Sequence, residues 1–294
     1  MTDFLGVADL GVDGLRRLVD SAADLKRDRR LGRDALVGRC LGFFFQKPST
    51  RTRVSCEVAA IELGAHPVVL RGDEVGLGDR ESAADIARVL DRYLDVLALR
   101  VHEHRHLIEI AAHAQVPVIN LLSDLEHPCQ AVADLQTIEE AKPIEDSVVV
   151  YVGDGNNVCH SLMVGVAMLG GEIRVLCPEG YEPNPEFVSA CGDRVTVSSD
   201  LSIVDGADVL YTDVWASMGH EGQAADRAEA FGAYRVDDEM FSRTGDQAIF
   251  LHCLPAHRGD EVTDSVMDHQ RSRVFDQAEN RLHATKALLL ELLT

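Results

Sequence analysis

The sequence predicts an α/β protein made of two doubly wound domains, each built on a parallel sheet. Short apolar runs alternate with segments of helical apolar spacing along almost the whole chain. This alternation is typical of parallel sheets covered by helices. With 294 residues, of which 46% are hydrophobic and 26% charged, the chain has the composition of a globular protein and the length of two domains.

The apolar runs predict strands in both halves of the chain. In the first half they lie at 41–45, 67–70, 96–99 and 118–121. In the second half they lie at 148–152, 173–176, 195–197, 209–211 and 249–251, interleaved with helices such as 160–169. Ser82 and Asp85 have the spacing of a capping box, which predicts the start of one helix.

The domain boundary is predicted where a helical pattern ends at Pro143 in a charged stretch. This places a first domain at 1–140 and a second at 141–271. The last segment, 274–293, has the pattern of one amphipathic helix that is too apolar to lie in solvent. We expect residues 272–294 to pack back on the first domain.

Charge and cysteine usage exclude several classes of function. The formal net charge of −21 disfavours nucleic acid and anionic membranes as partners. Seven cysteines without a CxxC pair argue against a disulfide framework and against a zinc site, and favour a reducing, cytoplasmic location. The first residues lack a signal-peptide pattern, and no apolar run reaches the roughly 20 residues of a membrane span, so we expect a soluble, unprocessed protein.

The strongest chemical signal is the sequence STRTR at 49–53, where an apolar strand runs into a loop and a helix begins near Ser49. Backbone N–H groups and the positive end of the dipole are available at a helix N-terminus, and hydroxyls and Arg51 add further donors. A Ser N-cap with solvent-facing arginines is the ordinary alternative for Ser49 alone. The whole string favours a phosphate-binding site.

Other segments hold candidate site residues whose ordinary roles remain open when each is taken alone. Arg100 ends a predicted strand, and the sequence HPCQ at 127–130 begins a helix. The turn GDGNN at 153–157 resembles a dinucleotide fingerprint, but Val158 stands where the third Gly is needed, so a dehydrogenase is a weak interpretation. An acid and the only Trp lie in 213–219, and the apolar run 249–251 leads to the sequence HCLP at 252–255.

The STRTR sequence is similar to the carbamoyl-phosphate motif shared by aspartate and ornithine carbamoyltransferases, and the segments HPCQ, 213–219, HCLP and 275–283 resemble further motifs of the ornithine branch in the same order. The resemblance implies a two-domain fold and transfer of a carbamoyl group from carbamoyl phosphate to ornithine. It implies carbamoyl-phosphate contacts from Ser49, Thr50, Arg51, Thr52, Arg100, His127, Gln130 and Arg281. It implies ornithine contacts from Asn157, Asp213, Ser217, Met218, Cys253 and Leu254, with Asn156 as a less certain neighbour.

Four of these residues, Arg51, Arg100, His127 and Cys253, are the implied catalytic residues. Donors around the carbonyl oxygen stabilise the charge that develops there. A nucleophilic or a buried structural Cys253 is possible from the residue type, but an orienting role is preferred because the amine attacks directly. The δ-amine has an ordinary pKa of about 10.4, so activity is expected to rise toward alkaline pH.

The resemblance also carries expectations about assembly and cofactors. The family forms trimers that share sites between subunits, so a homotrimer or an assembly of trimers is expected, and no metal or organic cofactor is implied. The loop 76–82 lacks the Lys of the aspartate branch, which leaves its contribution to a neighbouring subunit open. Two alternatives remain: a carbamoyltransferase for putrescine or an acylated ornithine, and a noncatalytic metabolite-sensing protein on the same fold.

Overall fold

The computed structural model describes residues 3–215 and 224–294. The chain divides into two compact units, one formed by Met1–Ala133 with Asn280–Thr294 and the other by Asp134–Glu279. Each unit contains a parallel sheet with helices on both sides. The predicted α/β class with two parallel sheets is therefore confirmed. In the described part of the chain, none of the helices combines the length and the apolar character needed to span a membrane.

The first unit contains a four-stranded sheet in the order β2-β1-β3-β4. Its strands are β1 (Cys40–Phe45), β2 (His66–Arg71), β3 (Val96–Arg100) and β4 (Val118–Leu122). Its helices are α1 (Gly11–Arg27), α2 (Thr50–Glu62), α3 (Gly72–Val75), α4 (Ala83–Leu90) and α5 (His104–His113). The chain passes from β1 to β2 on one side of the sheet and from β3 to β4 on the other, so the direction of the connections reverses between β1 and β3. In open parallel sheets, ligands bind at the carboxyl ends of the strands beside such a reversal.

The central strands of this sheet are apolar along their whole length because helices cover both faces. Leu41, Phe43 and Phe44 of β1 are at most 3% exposed. The predicted N-cap of α4 is present, since Ser82 Oγ accepts a hydrogen bond from the Asp85 amide at 3.1 Å. Only this half of the predicted capping box forms, because the Asp85 carboxylate accepts from Ser82 Oγ at 2.9 Å. Local chemistry therefore sets where this helix begins.

The second unit contains a five-stranded sheet in the order β7-β6-β5-β8-β9. Its strands are β5 (Val148–Val152), β6 (Glu172–Leu176), β7 (Val195–Ser198), β8 (Val209–Thr212) and β9 (Ile249–His252). Its helices include α7 (Asn157–Met168), α8 (Pro185–Cys191), α9 (Ala224–Phe231), α10 (Asp238–Ser242) and α11 (Asp264–Met267). The direction of the connections reverses between β5 and β8. Val152, Thr212 and His252 are paired across the three strands, so the segments that follow them start side by side.

Two helices, α6 (Pro128–Ala141) and α12 (Val274–Leu293), contain the divisions between the units. The part of α12 that begins at Asn280 belongs to the first unit. There Ala287, Leu288 and Leu289 are at most 2% exposed. The predicted return of the C-terminal helix to the first part of the chain is therefore confirmed.

Candidate active site

The carboxyl ends of β1 and β3 hold the first group of predicted site residues. Phe45 pairs with Arg100 in the parallel ladder, and the amide of Gln46 donates to the Arg100 carbonyl at 2.9 Å. The side-chain oxygen of Gln46 accepts from the amide of His102 at 2.9 Å. The loop after β1 is thus fixed against the end of β3, which brings the STRTR segment to Arg100.

Helix α2 begins as predicted, with Ser49 as its N-cap residue in an extended conformation. The Ser49 side chain makes no capping hydrogen bond to the helix; its hydroxyl instead donates to Thr52 Oγ1 at 2.9 Å. The first amide groups of any helix lack acceptors within the helix, so they are available to an anion. Ser49 and Thr50 line a cavity of about 460 Å³ together with Gln46, Arg53 and Arg71.

Arg281 of α12 connects this helix start to the HPCQ segment. Its guanidinium, which is 5% exposed, donates to Thr52 Oγ1 at 2.8 Å and to Gln130 Oε1. Thr52 and Gln130 are themselves 1% exposed. Three predicted residues from distant parts of the sequence therefore meet in the structure, with Thr52 and Gln130 both accepting hydrogen bonds from buried Arg281.

His127 lies immediately before α6 and is 5% exposed. Its pKa is held well below the usual 6.5, first by burial and then by the positive charges of Arg281 and Arg100. The imidazole is consequently neutral at physiological pH and has one N–H to donate. Arg51, in the first turn of α2, is half-buried. A neutral donor beside several guanidinium groups suits a ligand with carbonyl and phosphate oxygens.

The second group of predicted residues follows β5, β8 and β9. Asn156 is the N-cap of α7, and its Oδ1 accepts from the amides of Val158 at 2.9 Å and Cys159 at 3.1 Å. Its Nδ2 donates to Asp213 Oδ2 at 3.0 Å. The side chain of Asn156 is thus committed to positioning, whereas Asn157, 8% exposed at the first position of α7, stays the candidate for binding a substrate carboxylate.

Asp213 joins the ends of two strands. Its Oδ1 accepts from Cys253 Sγ at 2.9 Å and from the amide of Val214 at 2.8 Å. The Cys253 thiol therefore acts as a donor beside the carboxylate, which agrees with an orienting role. Leu254, the next residue, has a φ of +57°, and this left-handed conformation is uncommon for a side chain of its size.

The sequence of the chain matches one family over both halves. Residues 2–140 match the carbamoyl-P binding domain of aspartate/ornithine carbamoyltransferase, and residues 145–292 match its Asp/Orn binding domain. The chain belongs to the aspartate/ornithine carbamoyltransferase family. Among members of this family, an ornithine carbamoyltransferase of Methanothermobacter thermautotrophicus is 48% identical, and the match covers 98% of each chain.

Two further relatives of the carbamoyltransferase family extend this comparison. An ornithine carbamoyltransferase of Acidothermus cellulolyticus is 50% identical, with 99% of this chain and 96% of the relative covered. The solved structure of ornithine carbamoyltransferase from Pyrococcus furiosus superimposes with a TM-score of 0.95 at 45% identity, covering 99% of this chain and 96% of that one. The fold is therefore that of the carbamoyltransferase family.

Several buried polar residues near the candidate site were not predicted from the sequence. His252 Nδ1 accepts from the amide of Leu254 at 2.9 Å, so its Nε2 carries the proton and donates to Glu261 Oε1 at 3.1 Å. Arg227 donates to Asp154 Oδ2 and to the Trp215 carbonyl, both at 2.7 Å. His252 stands in the HCLP motif and could have been singled out, whereas Glu261 and Arg227 have no local signal.

Asp213, His252 and Cys253 each offer a potential metal-ligand atom, and these atoms lie within 4.8 Å of one another. The His252 ring nitrogens are engaged by Leu254 and Glu261, and the thiol is engaged by Asp213. Metal binding would require breaking these hydrogen bonds. The two remaining predicted residues, Ser217 and Met218, lie outside the described residues.

Proposed function

We propose that the protein transfers the carbamoyl group of carbamoyl phosphate to the δ-amine of L-ornithine, giving L-citrulline and phosphate. The observation that carries this proposal is the meeting of Arg281, Thr52 and Gln130 next to a neutral His127, at a helix start in a protein with a net charge of −21. Scarce cations are concentrated where a small dianion would bind. Membership of the carbamoyltransferase family supports the same reaction.

Carbamoyl phosphate is proposed to bind in the first unit. Its phosphate accepts from the first amides of α2, from the hydroxyls of Ser49, Thr50 and Thr52, and from Arg51 and Arg281. Its carbonyl oxygen accepts from Arg51, Arg100 and His127, and its amide nitrogen donates to Gln130. The match of residues 2–140 to the carbamoyl-P binding domain supports this assignment.

Ornithine is proposed to bind residues of the second unit. Asn157 and the amide of Met218 bind its carboxylate, and Asp213 and Ser217 bind its α-ammonium. The δ-amine is oriented by Cys253 and the Leu254 carbonyl. The match of residues 145–292 to the Asp/Orn binding domain supports this half of the proposal. The proposed division therefore assigns 1–140, with 272–294, to carbamoyl phosphate and 141–271 to ornithine.

The proposed reaction is a direct attack of the neutral δ-amine on the carbonyl carbon. A C–N bond forms, the C–O bond to phosphate breaks with its electron pair leaving on the phosphate, and the proton lost by the amine passes to the departing phosphate. The carbonyl oxygen carries negative charge in the tetrahedral intermediate, where Arg51, Arg100 and His127 stabilise it. The hydrogen bond that neutral His127 donates strengthens as negative charge develops on this oxygen.

The test separates ornithine from other acceptors. Purified protein is mixed with carbamoyl phosphate and, in separate reactions, L-ornithine, N-acetylornithine or putrescine, and both phosphate and the ureido product are measured. Ureido product in stoichiometric amount with phosphate from ornithine alone is the expected result. Product from another amine but not from ornithine would overturn the choice of substrate, and no product from any amine would favour a metabolite sensor.

The proposed setting of this reaction is the cytoplasm, with the protein assembled as a homotrimer or as a group of trimers. All seven cysteines are free thiols with buried or partly buried side chains, and the thiol of Cys253 lies next to Asp213. Free thiols suit a reducing compartment. Sharing of sites between subunits follows from the family resemblance, and the loop 76–82 is the candidate for contributing to a neighbouring subunit.

A further inference from the structure

A buried polar network in the second unit leads from α6 to the ends of two strands. Asp134 of α6 is 0% exposed. Its Oδ1 accepts from Gln277 Nε2 at 2.6 Å, and its Oδ2 accepts from the Tyr211 hydroxyl at 3.1 Å. Gln277 is 1% exposed, and its Oε1 accepts from the backbone amide of His252 at 2.9 Å. One carboxylate thus connects β8 and β9.

The direction of each hydrogen bond in this network is fixed by chemistry. A backbone N–H can only donate, so the atom of Gln277 that faces His252 is its oxygen. The amide NH₂ of Gln277 then faces the Asp134 carboxylate. A side chain at this position must accept at one end and donate at the other, which glutamine does and neither glutamate nor methionine does.

The two strands that Asp134 connects carry the proposed ornithine residues. Tyr211 lies two positions before Asp213, and His252 lies immediately before Cys253. Thr212 and His252 are paired partners in the ladder between β8 and β9. The 2.9 Å contact from Cys253 Sγ to Asp213 Oδ1 therefore depends on the relative position of the two strand ends, and Asp134 is hydrogen-bonded to both strands, directly through Tyr211 and indirectly through Gln277.

A second series of contacts leads from Tyr211 to Asp213. The Tyr211 ring stacks on Tyr151 with centroids 5.7 Å apart. The Tyr151 hydroxyl donates to Asn156 Oδ1 at 3.3 Å, and Asn156 Nδ2 donates to Asp213 Oδ2 at 3.0 Å. Buried polar circuits of this kind hold a unique geometry when every member is satisfied.

We propose that Gln277 and Asp134 are positioning residues for the ornithine half of the site: together they fix the ends of β8 and β9 and so set the contact between Cys253 and Asp213. This inference rests on the proposed function. Neither residue touches the proposed substrates; each acts through the strand ends. Loss of the network is expected to lower the use of ornithine and to leave the use of carbamoyl phosphate unchanged.

The test reverses the donor and acceptor in the network. Gln277→Glu places a carboxylate oxygen 2.6 Å from the Asp134 carboxylate, in the place of the amide nitrogen, and such a pair repels or must take up a proton. The double variant Asp134→Asn with Gln277→Glu restores a donor opposite an acceptor while keeping the acceptor for His252. Gln277→Met removes both hydrogen bonds and gives a second measurement if Gln277→Glu does not fold. Gln136→Met is the matched control, because Gln136 is a buried glutamine of α6 that bonds Glu140 instead.

Steady-state rates with ornithine and carbamoyl phosphate varied in turn, and the melting temperature, are measured for each protein. We expect Gln277→Glu and Gln277→Met to lower kcat/KM for ornithine by about 10- to 100-fold, the size expected of a small misplacement of reacting groups, with KM for carbamoyl phosphate changed less than about twofold. The double variant is expected to regain most of the loss, as coupled residues do, and Gln136→Met to keep the wild-type kcat/KM.

Two results would overturn the inference. One is a wild-type kcat/KM for ornithine in the Gln277 variants. The other is a double variant that regains the melting temperature but not kcat/KM, since the pairing of residues 134 and 277 would then support stability without setting the use of ornithine. Absence of citrulline with the wild-type protein is a separate result, and it would count against the proposed function.

Discussion

At the residue scale, the neutral state of His127 has a clear physical origin. Burial removes the water that would stabilise an imidazolium, and Arg281 and Arg100 oppose a further positive charge. The ring is therefore kept as a neutral donor among permanent cations. This arrangement suits a ligand with a carbonyl oxygen next to a phosphate. The arginines balance the negative charge of the phosphate, and the imidazole N–H donates a directional hydrogen bond to the carbonyl oxygen.

The neutral state of His127 can be checked by titration. Because the pKa of folded His127 lies well below the ordinary 6.5, the unfolded chain binds a proton at higher pH than the folded one does. His127 therefore contributes stability that is complete above about pH 6.5 and is lost as the pH falls toward the folded pKa. An NMR titration, assigned with His127→Gln, should show one histidine that stays neutral from pH 6 to pH 8. A His127 signal that titrates near 6.5 would refute this account.

Arg51 should matter for catalysis far more than for folding. It lies half-buried in the first turn of α2, and removing a donor to a developing oxyanion typically costs about 3 to 4 kcal/mol of transition-state stabilisation. Arg51→Ala is expected to melt near the wild-type temperature and to lose about 100- to 1000-fold in kcat. Arg27→Ala, which removes an exposed arginine paired with Asp24, is the control with unchanged activity. Near-wild-type turnover by Arg51→Ala would remove Arg51 from the mechanism.

At the element scale, Asn156 links the start of α7 to the end of β8. Its Oδ1 caps the helix and its Nδ2 orients Asp213. Gly153, with a φ of +143°, allows the chain to turn directly after β5 where an L-residue would be strained. A strand, a tight turn and a cap are therefore combined to place Asn157 and Asp213.

The two roles of Asn156, capping α7 and orienting Asp213, can be separated by substitution. Asn156→Ser keeps a side-chain acceptor for the amides at the start of α7 but removes the donor to Asp213, so the melting temperature should stay near the wild-type value while kcat/KM for ornithine falls. Asn156→Ala removes both roles and should also lose about 1 kcal/mol of stability. Asn184→Ala removes only the cap of α8 and should leave activity unchanged. Equal kcat/KM for ornithine in Asn156→Ser and in the wild type would contradict the role of Asn156 in orienting Asp213.

The elements themselves were predictable because they follow local rules. Every predicted strand is present, and no bound differs by more than one residue: 41–45 became Cys40–Phe45, and 249–251 became Ile249–His252. The added end residues include Cys40 and His252, which interrupt the apolar run and join the ladder only through pairing with neighbours. Helix α3 was missed because four residues, Gly72–Val75, are too few to show periodicity.

At the scale of the whole molecule, the sequence predicts candidate site residues but not the residues that support them. Sequence motifs predicted Arg100, His127 and Arg281 as candidate site residues. The contacts of Asp134 with Tyr211 and Gln277 join residues 77 and 143 positions apart, and no local pattern marks them. Buried polar residues that satisfy one another over such separations can be recognised only once the fold brings them together.

The assembly is the prediction that belongs to this scale. A homotrimer should give a mass about three times the 32.1 kDa of one chain by light scattering coupled to size-exclusion chromatography, or a multiple of that trimer mass. The same value is expected over a tenfold dilution, because obligate interfaces are large. A mass of one chain at every concentration would contradict the trimer.

A compact anion with phosphate and carbonyl oxygens is proposed to bind at the start of α2, directly after β1. The most direct measurement is a crystal structure of the protein with phosphonoacetamide, a stable analogue of carbamoyl phosphate. We expect its phosphonate at the first amides of α2 with Arg51, and its carbonyl oxygen within hydrogen-bonding distance of Arg100 and His127. An analogue bound elsewhere, or one bound without contact to Arg100 and His127, would contradict it.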